Sequence, residues 1–267
     1  MIPRIFISCD DFPLVIMRKL FSAVRNSIFV GLALVSINSA RADDLLKGVR
    51  GPTKVQFDER IVGSENENDV ETITNALVVK YWDGNKLGKF GFINIPYKFV
   101  STQNHSNYGL GDISLGVGAR GTTGNLHWFS YLAATFPTGD KEEKPPLGAG
   151  RFDNRLGLIG TYLSPDKAYE LDVTLELTLT DENNGSDTPN EFYAGLLAGG
   201  RVFSKERAGI GFTLSGKDNG DYLLNLRGVG RHTFSPKLHA EVVADTSLYS
   251  YNMPKVTSGG IFFRYNY

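Results

Sequence analysis

The stretch Tyr169–Thr180 reads YELDVTLELTLT. Tyr169, Leu171, Val173, Leu175, Leu177 and Leu179 alternate with Glu170, Asp172, Thr174, Glu176, Thr178 and Thr180. Successive side chains of a β-strand point to opposite faces, so this segment has one oily face and one charged face. The same pattern recurs at 238–248, where Leu238, Ala240, Val242, Ala244 and Leu248 oppose His239, Glu241 and Asp245. It recurs again at 112–120, where Ile113, Leu115, Val117 and Ala119 oppose Asp112, Ser114 and Arg120. No segment beyond residue 42 carries a sustained helical period.

Twelve stretches read as strands: 53–62, 70–82, 86–99, 110–120, 126–137, 152–163, 169–180, 191–203, 207–217, 221–233, 237–249 and 256–267. Most run to 11–14 residues, longer than the ~5–6 usual in soluble sheets. A tilted strand needs about 9–11 residues to cross a bilayer. Tight turns are expected at Asp83–Asn85, Gly121–Asn125, Ser164–Ala168, Ser204–Glu206 and Phe234–Pro236, all rich in turn-forming residues. Mostly longer polar segments alternate with them: Gly63–Asp69, Ser101–Gly109, Thr138–Arg151 and Asp181–Asn190, then the shorter Asp218–Gly220 and Ser250–Lys255.

Short turns on one side and longer loops on the other are the pattern of a transmembrane barrel. A soluble sandwich would permit the same alternation with the oily face inside. Strand length, loop asymmetry and the chain end favour the membrane. The fold expected is all-β: an antiparallel up-and-down transmembrane barrel of about twelve strands, with both termini on the periplasmic, short-turn side.

That chain end, GIFFRYNY (260–267), closes on an aromatic residue. Ile261, Phe263, Tyr265 and Tyr267 share one face, and Arg264 and Asn266 the other. Phe263, Tyr265 and Tyr267 therefore fit a C-terminal signal for the outer-membrane barrel-assembly machinery. Tyr81, Trp82, Phe99, Trp128, Phe136, Tyr162 and Tyr249 lie near expected strand ends, where aromatic rings suit the headgroup level.

The N-terminus reads as a leader. Arg18, Lys19 and Arg25 precede the apolar run IFVGLALVSI (28–37), and Ala40-Arg41-Ala42 satisfies the small-x-small cleavage rule. Residues 1–16 read as an upstream extension, 17–42 as a signal peptide cleaved near Ala42, and 43–267 as one barrel domain. The removed segment holds five basic and two acidic residues, so net charge falls from −1 to −4. It also holds Cys9, the only cysteine. Disulfide scaffolds, cysteine-based zinc sites and thiol nucleophiles are thereby excluded.

Across the chain, 28 Lys and Arg against 29 Asp and Glu give no basic surplus of the kind nucleic-acid binders show. Hydrophobic residues at 41% and aromatics at 12% exclude a disordered chain. A mean hydropathy of −0.18 is too polar for a helical membrane bundle.

YGLGDISLG (108–116) resembles the "GLGD" strand of the outer-membrane family named for the MetA-pathway of phenol degradation. FPTGD (136–140) followed by LGAG (147–150) resembles that family's "PTGD…LGTG" loop, with Ala149 in place of Thr and a charged insert, KEEKPP (141–146). YLSP (162–165) resembles its next turn. The resemblance covers most of 70–267. It implies a transporter-like barrel linked to uptake of aromatic or other hydrophobic compounds.

If the oily face meets lipid, the other face lines a lumen. Inward cations would be Lys80, Lys98, Arg120, Arg155, Arg201 and Arg227. Inward acids would be Asp112, Asp153, Glu170, Asp172, Glu176, Glu241 and Asp245, with His239 beside Glu241. Ions are costly to bury unless paired or wet, so a narrow, polar, partly obstructed passage is expected. Gly195, Gly199, Gly209 and Gly211 would thin its lining. The alternatives are a closed structural or interaction barrel working through loops 138–151 and 181–190, and a lipid-modifying enzyme using His105 with Ser101 or Ser106. No G-x-S-x-G or H-E-x-x-H occurs.

No cofactor is expected. Gly116-x-Gly118-x-x-Gly121 matches a dinucleotide fingerprint, but no helix follows to hold a pyrophosphate. Asp181, Asn183 and Asp187 space like a calcium loop, but position twelve is Phe192 rather than the bidentate Glu. The expected partners are outer-membrane lipid, lipopolysaccharide, the assembly machinery and an unspecified small molecule, with no nucleic acid.

Overall fold

In the computed structural model, which describes residues 55–82, 88–142, 144–181 and 188–267, Tyr169–Thr180 forms one strand. Its odd-numbered residues are exposed and its even-numbered residues are covered. The leader, the Asp83–Asn85 turn, Asn183 and Asp187 lie outside the described residues.

The strands in order are β1 (Val55–Asn66), β2 (Glu71–Trp82), β3 (Gly88–Ser101), β4 (Ser106–Leu110) and β5 (Ile113–Thr123). Then come β6 (Leu126–Phe136), β7 (Asp153–Leu163), β8 (Tyr169–Thr180) and β9 (Glu191–Arg201). The last four are β10 (Glu206–Lys217), β11 (Tyr222–Thr233), β12 (Leu238–Tyr251) and β13 (Val256–Asn266). Pairing is antiparallel throughout. β1 pairs with β13 as well as with β2, from Gln56 opposite Asn266 to Asn66 opposite Val256, and β2 pairs with β3. The sheet therefore closes on itself, which leaves no free edge along the closed wall, the short β4 alone pairing on one side only, with β3.

Thirteen segments make a twelve-strand barrel because β4 and β5 are two parts of one wall strand. Lys98 is opposite Gly109, but Asn94 is opposite Ser114, so one extra residue enters between them. This is a β-bulge at Gly111-Asp112. Two segments expected as loops continue the wall: β1 extends to Asn66, and Ser106–Gly109, the greater part of β4, pairs with the end of β3. Their side chains are mainly polar because pairing persists where water replaces lipid, and the oily alternation fades there.

The outer face is apolar. Leu115, Val117, Leu132, Leu156, Leu158, Leu175, Leu196 and Val242 are all exposed. A continuous surface of this kind is an aggregation hazard in water and is satisfied by acyl chains. Tyr81, Tyr97, Tyr108, Tyr162, Tyr249, Tyr251 and Tyr267 are exposed at strand ends. Trp82 departs from the girdle expected of it. It turns inward, 2% exposed, beneath the Arg120 guanidinium at 4.1 Å.

Two turns show the local chemistry. Gly124, at φ 57, closes the β5–β6 hairpin in a left-handed conformation with nothing within 4 Å of its missing side chain, so backbone freedom alone calls for glycine. In the β7–β8 turn, Asp166 accepts from the Ser164 hydroxyl (2.5 Å) and the Ala168 N–H (3.1 Å). These bonds, led by the one from Ser164, hold its carboxyl below the ordinary range.

Candidate functional site

The side chains inside the barrel divide into an aromatic side and a charged side. Trp82, Phe90, Phe92, Phe129 and Tyr131 alternate inward from β2, β3 and β6. Phe90 stacks on Phe129 (4.4 Å between centroids) and meets Trp82 at 4.8 Å, and Tyr131 meets Phe92 edge-on at 5.7 Å. Glycines make room for the rings. Gly116 is opposite Phe92 and Gly118 opposite Phe90, and a Cβ at either would fall 2.2–2.4 Å from ring atoms. The stack fills one side of the interior and leaves the open space against β1 and β7–β13.

Two ionic hubs border that space. The first is Asp58, 2% exposed. Its Oδ1 accepts from Gln56 Nε2 (2.6 Å) and Arg264 Nε (3.0 Å), and its Oδ2 faces Lys80 Nζ (2.8 Å) and Arg60 (3.5 Å). The second is Glu170, with Arg231 at 3.0 Å and Arg207 Nε also at 3.0 Å. The Arg207 approach is an ion pair without hydrogen-bond alignment, and Arg207 donates its NH1 to the Lys167 carbonyl instead. Arg231 also reaches Glu241 (2.6 Å) and Asp172 (3.6 Å), and Asp172 accepts from Thr161 (2.5 Å). Further along, Arg227 grips Asp245 with two nitrogens (2.7 and 3.0 Å) and donates to the Tyr193 hydroxyl (2.7 Å). Tyr131 donates to Glu176 in a short hydrogen bond.

Lys80, Asp172, Arg227, His239, Glu241 and Asp245 border one cavity of about 600 Å³. Glu170 lies beneath its wall, and Arg120 is buried over Trp82 rather than lining open space. Lys98, Asp153, Arg155 and Arg201 take inward positions on β3, β7 and β9 away from that cavity. Asp153 pairs with Arg151 at 2.9 Å. Asp112 stands apart, because the bulge turns it to the loop at 137–152. Its Oδ1 accepts from Gly139 N (2.9 Å) and its Oδ2 from Ala149 N (2.6 Å). Leu147 of that loop is buried, and a Cβ on Gly109, on the inner face of β4, would lie 2.8 Å from its Cδ1. Asn107 Nδ2 donates to the Pro145 carbonyl (3.1 Å). The Gly-Asp of one motif thus fastens the Thr-Gly-Asp and Gly-Ala-Gly of the other to the wall.

The four inner glycines do not all thin the lining. Gly195 borders the cavity. A Cβ on Gly211 would lie 2.0 Å from the Leu196 carbonyl, and one on Gly209 3.2 Å from the Leu197 side chain, so these two permit close approach of β9. Phe263, Tyr265 and Tyr267 alternate with the inward Phe262, Arg264 and Asn266. Among the described residues no group of three or more His, Cys, Asp or Glu is placed to hold a metal ion. Side-chain partners of the histidines include Thr122 for His127, Thr233 for His239 and Glu206 for His232.

Sequence reasoning missed Asp58, Arg60, Arg207 and Arg231. Arg231 stands four residues after Arg227, hence on its face. In β1 the run Asp58-Glu59-Arg60 places charge on both faces and hides the alternation.

A closed antiparallel barrel of twelve strands, apolar outside and ionic within, defines an outer-membrane, channel-like protein surrounded by membrane lipid. The chain belongs to the family described as "Putative MetA-pathway of phenol degradation", whose model matches residues 50–255. No curated protein matches the sequence. Among solved structures, an outer membrane channel from Pseudomonas putida F1 is similar at 15% identity and a TM-score of 0.61, over 80% of this chain and 93% of that one. The translocator domain of the autotransporter NalP from Neisseria meningitidis is similar at 13% identity and a TM-score of 0.52, over 93% and 96%. The NanC porin is similar at 11% identity and a TM-score of 0.52, over 79% and 100%. At these identities the likeness is one of fold.

Proposed function

We propose that the barrel provides passive or facilitated passage across the outer membrane for small aromatic or hydrophobic molecules, without catalysis. The observation that carries this reading is the cavity of about 600 Å³ inside the barrel, bordered by ionic side chains on β1, β2, β11 and β12 and by Phe129 and Ile159. A volume in this range suits a small organic solute. Membership of a family named for phenol degradation supports an aromatic cargo.

In this reading residues 43–267 are the mature domain, freed of a leader at 17–42. Phe263, Tyr265 and Tyr267 engage the assembly machinery, and lipopolysaccharide surrounds the outer rim. The inward charges, Lys98, Asp153, Arg155, Arg201 and Glu176 included, line the route or hold its wall.

Planar-bilayer conductance and liposome swelling test the reading. Folded protein that raises conductance and admits small solutes supports it. Folded protein that does neither favours the closed structural barrel, for which the filled aromatic side and the fully engaged Asp58 carboxylate speak.

A further inference from the structure

The two ionic hubs are unbalanced in opposite senses. Glu170, Asp172 and Glu241 share Arg207 and Arg231, three acids to two cations. Asp58 faces three cations alone: Arg60, Lys80 and Arg264. Both Asp58 oxygens are already occupied, with Gln56 and Arg264 on one and Lys80 and Arg60 on the other. Glu241, on the strand next to β13, is held by Arg231 at 2.6 Å. Glu241 also acts on Arg264 through space, so across both hubs five cations (Arg60, Lys80, Arg264, Arg207 and Arg231) face four acids (Asp58, Glu170, Asp172 and Glu241), and the one cationic charge left over lies on the Asp58 side.

Its donors are also available. A guanidinium carries five N–H donors in a planar fork. Arg264 gives Asp58 only Nε, and Arg60 touches it with one terminal nitrogen at 3.5 Å. The side chains of Arg264 and Arg60 are 39% and 42% exposed, and both border the cavity. Apolar surface lies beside them. Phe262 is directly opposite Arg60 on β13, and Val62, Phe129 and Ile159 border the same space. A planar carboxylate matches the free edge of a guanidinium, and an attached ring or short chain would meet the apolar wall.

We propose that the Arg60–Arg264 side of this cavity is a binding site for a small organic anion with an apolar body, an arene- or alkyl-carboxylate. As a station on a route through the barrel, it rests on the passage reading above. As a binding site, it is tested separately.

The probe is benzoate, against benzamide and benzylammonium, in equilibrium dialysis with the processed chain folded in detergent at low ionic strength. Benzoate is expected to be retained saturably and in preference to both controls. Arg60→Gln, which leaves Asp58 its Lys80 and Arg264 partners, is expected to weaken retention about tenfold, the usual worth of a charge-assisted contact. Heat-modifiable gel mobility checks that the variant is folded. Equal retention of the three probes by the parent chain overturns the proposal without any variant, as does benzoate retention unchanged in folded Arg60→Gln. A barrel that conducts KCl but retains no benzoate overturns the anion site and spares the passage reading. Arg60-dependent retention without conductance supports the site and overturns the passage.

Discussion

Asp58 and Arg264 face each other across the seam where the barrel closes. They are register partners in the β1–β13 pair, joined from Nε to Oδ1 at 3.0 Å. The strand that begins the described wall and the strand that ends it are thus linked by charge as well as by backbone pairing. Removing one member of a buried ionic group leaves the others uncompensated, at about 3–5 kcal/mol. Asp58→Ala, which strands Lys80 and Arg264 together, is expected to lower barrel stability by roughly that amount. Denaturant unfolding followed by tryptophan fluorescence measures it, and an unchanged midpoint would contradict the role assigned to the seam.

The Asp112 carboxylate holds the 137–152 loop by its Gly139 and Ala149 N–H groups. Hydrogen bonds to a charged acceptor are worth about 1.5–3 kcal/mol each. Asp112→Ala is expected to free the 137–152 loop while the wall stays intact. Limited proteolysis should then cut within the loop much faster than in the parent, with unchanged heat-modifiable mobility. Equal cutting rates would show that the loop is held by other contacts.

Gly116 has Phe92 atoms 2.2 and 2.3 Å from where its Cβ would lie. Gly116→Ala is therefore expected to destabilise the barrel by about 1–3 kcal/mol through overpacking. Phe92→Ala in the same chain should recover part of that loss, because the ring is the obstacle. A double-mutant cycle measures the coupling, and simple additivity would contradict the ring-on-glycine contact.

On β8, Leu175 faces out and Thr174 faces in. An arginine on the lipid face near the bilayer middle costs about 2–4 kcal/mol. Leu175→Arg should carry that penalty in lipid vesicles, and Thr174→Arg, beside the cavity, should carry much less. Equal penalties would argue against lipid contact on the odd-numbered face.

The wall was legible in the sequence because lipid imposes a strict rule on alternate residues. Leu171 to Leu179 obey it, and the strand bounds of β8 are those the alternation predicts. Where lipid ends, the rule ends. Ser106–Gly109 pairs with β3 yet reads as loop, and the bulge at Asp112 inserts a residue that a period of two cannot place.

The interior was legible only in part. Alternation assigns Lys80, Arg227 and Asp245 to the inner face, but it does not say that Arg227 meets Asp245 or that Lys80 meets Asp58. Such pairs depend on register between strands, and Asp58 and Arg264 are separated by almost the whole wall in sequence. The inward turn of Trp82 has the same origin, since its place is decided by Phe90 on the neighbouring β3 and by Arg120 on β5, one strand further round.

The central claim is that acyl chains touch the leucine face of β8. The sequence carries no cysteine after Cys9, in the segment expected to be removed. Single cysteines at positions 170–177 can therefore take a fluorophore in a chain refolded into vesicles containing nitroxide-labelled lipid. The account predicts strong quenching at 171, 173, 175 and 177 and weak quenching at 170, 172, 174 and 176. Quenching without a two-residue period, or a period of opposite phase, would contradict it.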